Sequence, residues 1–207
     1  MTGKGVSNVG VLVLASASPR RREILTTLGV AFEVRPSGAD ETRQDGERAR
    51  DYATRVAAAK AQEIARACEP GTLVLGADTI VVVDGELLGK PGDDRAGYEA
   101  AARGMLRMLA GRWHEVTSGV ALARAGTGIL ETIAVTTRVK VRPLTEAMVE
   151  RYVATGEGRD KAGGYAIQGI AAGLVSEIAG SYSNVVGLPA AETIELLERH
   201  GAIAGWP

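Results

Sequence analysis

The first apolar run of the chain, VGVLVLA from Val9 to Ala15, leads directly into SASPRRREILTTLG, where Ile24, Leu25 and Leu28 fall at helical spacing. This pattern predicts a buried strand, a short loop and a helix. Ser18 has N-cap chemistry, Pro19 suits the first helical position and Gly29 is the stop. Arg20, Arg21 and Arg22 then occupy the first turn, where the macrodipole is positive and N–H groups project forward unpaired. Cations there cost about 0.3–1 kcal/mol each unless an anion lies nearby. The pattern asks for an anion.

A polar stretch, PSGADETRQDGERARD, reads as a loop running into a helix from near Glu47 to around Cys68. LVLGADTIVVV is the next strand, and Asp84–Gly85 between apolar runs predicts a two-residue hairpin turn. An amphipathic helix follows over Asp94 to Leu109, then a strand in AGRWHEVTSGVALA. A further strand lies in LETIAVTTRVKVRP, with one wet face over Val135 to Val141. TEAMVERYVATG is a helix ending at Gly156, a glycine-rich segment with two short apolar runs comes next, and a last helix runs from near Pro189 to His200. Strands alternating with helices, together with antiparallel hairpin signals, predict an α/β fold with a mixed central β-sheet flanked by helices. No linker divides residues 1–207, so one domain of two lobes is expected.

The formal net charge of −1 supplies no global field toward nucleic acid or a membrane, so anion binding has to be local. Cys68, the single cysteine, has no internal partner and reads as a packing residue in a reducing cytoplasm. The first apolar run is too short to span a bilayer, and its arginines follow it where a signal peptide carries them ahead, so a complete cytoplasmic chain is expected.

Asp78 interrupts an apolar strand, and a buried carboxylate without a partner costs several kcal/mol. Period-two alternation puts Gly76, Asp78 and Ile80 on one face, so the position beside the carboxylate has no side chain and leaves room for a metal ion or a substrate. A turn cap or a structural ion pair explains Asp78 equally well at this point. Lys90 falls opposite Thr79 in the hairpin register, facing away from Asp78, but Gly89 and Pro91 end the strand and let it turn back. Lys60 joins Tyr52, Val56 and Ile64 on the stripe that should face the core, either snorkelling to water or reaching a phosphate. Glu41, beside Asp40 in the polar loop, would alone be assigned to solvent. Lys161 and Gln168 lie among glycines that let backbone approach a ligand, and the Gln168 amide matches the donor–acceptor edge of uracil or thymine. His114 and His200 make neither metal-ligand spacing nor a triad and are read as structural.

Together and in this order, SASPRR, GADTIVVVDGELLGKP, LAGRWHEVTSGVAL, DKAGGYAIQG and GSYSNVVGLP resemble the Maf family of nucleoside triphosphate pyrophosphatases, once named for septum formation, from about Leu12 to Leu197. Within that family DKAGGYAIQG is similar to the branch that hydrolyses dTTP and UTP. The resemblance implies a two-lobed α/β fold with its site in the cleft, and homodimers are common in the family. It implies that Asp78 is the proton acceptor, that Arg20, Thr79 and Gln168 set specificity, and that Arg21, Glu41, Lys60, Lys90 and Lys161 are further polar positions of the cleft. Ser118 stands where many members have threonine and keeps the hydroxyl; Ala166 stands where the motif has glycine and narrows the base pocket.

The expected reaction is hydrolysis of a nucleoside triphosphate to the monophosphate and pyrophosphate. A divalent cation, Mg²⁺ or Mn²⁺, would be held by Asp78, Glu41 and phosphate oxygens, while Asp78 orients or deprotonates the attacking water. Arg20, Arg21 and the helix start at Ser18 would receive the triphosphate, leaving Arg22 to solvent or a structural pair. Two alternatives stay open: a housecleaning pyrophosphatase for modified or non-standard nucleotides, or a nucleotide- or nucleic-acid-binding regulator of cell division. Near-zero net charge and few aromatics argue against a general single-strand binder, and neither a stable nucleic-acid partner nor a membrane is expected.

Overall fold

The computed structural model describes residues 12–92 and 95–207. Val9–Val11 of the expected first strand and Asp94 at the expected start of the third helix lie outside the described residues. Among those described, seven strands form one mixed sheet: β1 (Leu12–Leu14), β2 (Phe32–Val34), β3 (Leu73–Val83), β4 (Glu86–Leu88), β5 (Trp113–Arg124), β6 (Gly128–Val141) and β7 (Val175–Ala179). The six helices are α1 (Pro19–Thr27), α2 (Ala49–Arg66), α3 (Arg95–Leu109), α4 (Glu146–Ala154), α5 (Tyr182–Val186) and α6 (Ala190–Arg199). The glycine-rich segment before β7 folds into two 3-10 turns, Ala162–Gly164 and Ile170–Gly173. No helix among the described residues is long and apolar enough to cross a membrane.

Local chemistry sets the element ends. Pro19 opens α1, and Gly29 at φ 71° closes it: the Gly29 N–H reaches Thr26 O at 3.0 Å and the Val30 N–H reaches Leu25 O at 3.1 Å, a Schellman pair. Ser18 occupies the N-cap position, but its side chain accepts no capping bond, so its expected capping role is not realised. Asp84 and Gly85, at φ 50° and 82°, turn β3 into β4 and pair Val83 with Glu86, as the sequence predicted. On β6, Val139 and Val141 are buried while Arg138 is exposed, which is the one wet face expected.

The arrangement that matters for function is the uncovered edge of β3. β5 pairs antiparallel with β3 along most of its length, but the other edge is divided. β1 lies parallel beside Val74 and Leu75, and β4 lies antiparallel beside Val81–Val83. Residues 76–80 therefore have no described strand on that side, and Asp78 and Thr79 project to opposite faces at the interruption.

α2 lies across the Asp78 face. A Cβ on Gly76 would sit 2.2 Å from Ala57 O, and one on Gly119, the cross-strand partner of Asp78, would sit 2.2 Å from Ala53 O. This corrects the sequence expectation that Gly76 leaves room for a ligand. The room is taken by helix backbone, and the two glycines let α2 approach the sheet closely enough for its side chains to reach Asp78. On the opposite face, Leu12, Leu14, Leu25, Leu188 and Leu197 share one apolar cluster, while Val81, Tyr98, Leu106, Val149 and Tyr152 share another.

Candidate active site

The interruption beside β3 opens into a cavity of about 520 Å³. Ser18, Arg20, Arg21, Glu41, Lys60, Asp78, Thr79, Lys90, Lys161 and Gln168 all line it, so every candidate residue read from the sequence comes to one place. Five of its lining side chains are cationic and three, Glu41, Asp78 and Asp160, are anionic. In a chain of net charge −1 this is the local positive surplus the sequence called for.

At its floor, Lys60 is 6% exposed and bridges two carboxylates, with Nζ 2.8 Å from Asp78 Oδ1 and 2.5 Å from Glu41 Oε1. It is buried and ion-paired, so the snorkelling alternative does not hold. Glu41 is carried on the loop before α2, its side chain still partly in solvent but tied to Lys60, and Tyr52 Oη donates to its backbone carbonyl at 2.9 Å. Burial pushes the Glu41 carboxyl up, but the hydrogen bond and charge of Lys60, with Lys90 and Arg21 behind it, outweigh burial and hold it below its ordinary value. β4 ends at Leu88, so Lys90 is released from the hairpin register; its Nζ lies 3.8 Å from Glu41 Oε2.

The three arginines of the first α1 turn have three different environments. Arg21 is buried, donating from Nε to Gly187 O at 2.9 Å, from Nη1 to Ser16 Oγ at 3.1 Å and from Nη2 to Thr79 Oγ1 at 3.2 Å. Thr79 Oγ1 lies 2.8 Å from Ser118 Oγ, which donates to Asn184 O at 3.2 Å, so the guanidinium anchors a chain of polar groups joining β3, β5 and α5. Burial lowers the Arg21 pKa while the charge of Asp78 opposes that shift. Three of its five N–H groups are committed, leaving two for a ligand. Arg20 instead pairs with Asp160 at 3.3 Å, and Lys161 pairs with the same carboxylate. Burial pushes the Asp160 carboxyl up, but the Lys161 hydrogen bond and the neighbouring cations outweigh it and hold it low. Such exposed pairs contribute little to stability, so both cations are available to a phosphate. Arg22 is exposed, with no ion pair among the described residues.

Asp160, Ser16 and Gly187 were not identified from the sequence. Only Asp160 carried a signal, as the acid adjoining Lys161 in DKAGG. The sequence also gave no sign of the apolar side chains Val81, Val116, Tyr165, Ile167 and Val186, which line the same cavity as Gln168. A wall of that kind suits a planar base.

The Maf-like protein family profile matches residues 11–200. This chain belongs to the Maf family. A protein of Anaeromyxobacter sp. (strain Fw109-5), named dTTP/UTP pyrophosphatase, is 52% identical over 94% of this Maf chain and 92% of its own length. A protein of Methylobacillus flagellatus with the same name is 49% identical over 96% of this chain and 97% of its own. Among solved structures, the Staphylococcus aureus Ham1 protein overlaps 64% of this chain and 72% of its own at 14% identity and a TM-score of 0.42, too slight a likeness to argue from.

A divalent ion on this Maf chain would meet two hard oxygen donors, Glu41 and Asp78, whose Oε1 and Oδ1 are both engaged by the Lys60 ammonium. No group of three or more His, Cys, Asp or Glu residues suited to a metal occurs among the described residues. The set fits Mg²⁺ or Mn²⁺, which keep several waters and share substrate phosphates, rather than an ion held in a protein cage.

His114 lies behind the apolar wall and does not line the cavity. It is 3% exposed, its Nε2 is 2.8 Å from Tyr165 Oη, and burial lowers its pKa to about 4. Its structural role has a pH signature. Because the folded pKa is depressed below the unfolded value of about 6.5, the neutral imidazole contributes stability that is present above that value and lost as the pH falls toward 4. The unfolding free energy should fall by about 2 kcal/mol between pH 7 and pH 5. Urea titrations of wild type and His114→Gln test this, the variant giving the flatter profile. His200 pairs with Glu131 at 2.8 Å, away from the site.

Proposed function

We propose that this Maf protein is a dTTP/UTP pyrophosphatase, hydrolysing either nucleotide to its monophosphate and pyrophosphate. Relatives of that name at about half identity over nearly the whole chain support the substrate pair. The observation that carries the chemistry is the convergence on one cavity of a buried, lysine-held carboxylate, a set of cations, an amide and an apolar wall.

Asp78 takes the proton of the water that attacks the α-phosphorus, and Lys60, 2.8 Å from Oδ1, holds its carboxylate in place. Arg20, Lys90, Lys161 and the two uncommitted N–H groups of Arg21 balance the charge that develops on the phosphate oxygens. The backbone N–H groups of Arg20 and Arg21, with no acceptor inside α1, add partial positive charge. When bound, a divalent ion held by Asp78 and Glu41 supplies Lewis-acid polarisation of the phosphates. Gln168 reads the pyrimidine edge, and Ala166 brings its methyl to the same pocket. The two apolar clusters on one sheet face support a division into two lobes at the cavity. A homodimer belongs to the same reading, supported by exposed Ile178 on β7, which among the described residues pairs with β6 alone.

The test is product analysis across UTP, dTTP, CTP, ATP and GTP, with Mg²⁺, with Mn²⁺ and with chelator. Pyrophosphate should be released chiefly from UTP and dTTP and only with metal; release of orthophosphate, or turnover indifferent to the base, overturns the assignment. The arginine assignments predict a separate result. Arg20→Ala should lower kcat/KM by about 10- to 100-fold through loss of a charge-assisted phosphate contact. Arg22→Ala should change it less than about twofold, as expected of an exposed side chain away from such contacts. Equal losses in steady-state kinetics would refute this division.

A further inference from the structure

Gln168 is exposed at the cavity, and no side-chain hydrogen bond holds its amide among the described residues. An amide offers one donor and one acceptor, and half a turn about its terminal bond exchanges them. The uracil and cytosine edges differ by the same exchange, so an unheld glutamine amide satisfies either base. Backbone N–H and C=O groups cannot exchange places, and selectivity between these bases needs the segment carrying Gln168 to be fixed.

That segment is a tight turn: the Gly169 N–H donates to Ala166 O at 3.0 Å, placing Ile167 and Gln168 at its tip. It is tied at both ends to a pair of side chains outside the cavity. Tyr152 on α4, 3% exposed, accepts from the Ala166 N–H at 3.1 Å and donates from Oη to Glu157 Oε2 at 2.8 Å. Glu157 accepts from the Ile170 N–H at 2.6 Å and from the Ala171 N–H at 3.1 Å. The fit is close: a Cβ on Gly169 would lie 1.8 Å from Glu157 Oε1. Burial, then the bond to Glu157, pushes the Tyr152 pKa up, so its hydroxyl remains a donor.

We infer that Tyr152 and Glu157 are positioning residues for base selectivity, holding the Ala166–Gly169 turn so that its polar groups present one fixed donor–acceptor sequence to the base. The inference rests on the reading of Gln168 as the residue that meets the pyrimidine. Neither residue touches the phosphates or Asp78, so their effect should fall on the choice of base and on KM.

The experiment compares kcat and KM for UTP and CTP in wild type, Tyr152→Phe, Glu157→Gln and Gln168→Ala, with thermal melting to confirm folding. Tyr152→Phe keeps the ring and removes both bonds of the hydroxyl; Glu157→Gln keeps the shape and sets an NH₂ group against a backbone N–H. Each should lower the UTP-to-CTP ratio of kcat/KM by about tenfold, the worth of one hydrogen bond, through KM for UTP with kcat nearly unchanged. Hydrogen exchange at the Ala166, Ile170 and Ala171 amides should speed up in both. Proportional losses on both nucleotides, or a fall in kcat alone, would mean that the pair only stabilises the fold, and would overturn the inference even if one variant folds poorly. If Gln168→Ala raises KM for both nucleotides and the other two variants leave the ratio unchanged, the positioning inference alone fails. If Gln168→Ala leaves KM unchanged for both nucleotides, the reading of Gln168 fails and this inference falls with it.

Discussion

Asp78→Asn should turn over UTP and dTTP about a thousandfold more slowly than wild type, within the range of about 10²–10⁴ that a positioned proton acceptor contributes. Its melting temperature should stay close to that of the parent. Asparagine has the volume of aspartate and cannot accept the proton of the attacking water. Folding should survive because Lys60 does not lose its only counter-charge: Glu41 Oε1 remains 2.5 Å from Nζ, so the substitution leaves no unpaired buried cation. The loss should therefore appear in kcat, measured as pyrophosphate release, with a small change in KM, since phosphate recognition rests on the cations elsewhere in the cavity. A folded Asp78→Asn protein with near-wild-type turnover would leave Asp78 a structural acid and move the proton acceptor elsewhere.

How much of this site could be read in advance varied with the range of the interaction concerned. The ends of α1, the turn at Asp84–Gly85 and the inward stripe carrying Lys60 all depend on residues a few positions apart, and the sequence displays them. Lys60 and Asp78 were each anomalous alone, one a cation on a core stripe and the other an acid in an apolar strand; their contact at 2.8 Å joins residues that the sequence does not pair. The uncovered edge of β3 was not legible, because it follows from β1 and β4 stopping short of each other on the same strand, and strand adjacency is a long-range outcome. Asp160 was missed because one acid in a loop has no periodicity to violate. The Tyr152–Glu157 support was missed for the same reason, since its partners are backbone N–H groups 13 and 14 residues away. The resemblance to the Maf family gathered the site residues at once but said nothing of what holds them.

Gly76 is the clearest case of a position read correctly and interpreted wrongly, and Gly76→Ala separates the two interpretations. Alternation placed it on the Asp78 face, as observed, but alternation is silent on what opposes that face. The added methyl would meet Ala57 O at 2.2 Å and Ala61 N at 2.8 Å, both backbone atoms of α2 that no rotamer change can clear. Either the helix or β3 must move by a distance on the order of 1 Å to restore ordinary contacts. The displaced turn, Ala57 to Ala61, is the one that carries Lys60, so the methyl both overpacks the interface and withdraws the ammonium from Asp78 and Glu41. Overpacking of this kind costs about 1–3 kcal/mol or more, and a misplacement near 1 Å at a catalytic group costs about a hundredfold in rate. Gly76→Ala should therefore lower the unfolding free energy by about 3 kcal/mol and kcat by about a hundredfold together, even though residue 76 itself contacts no substrate. Gly89→Ala is the matched control: Gly89 also lines the cavity, yet a Cβ there meets nothing within 4 Å, so its stability should hold. If Gly76→Ala kept its stability and raised only KM, the space beside Asp78 would belong to the ligand after all, and the close approach of α2 would not be what sets the lysine in place.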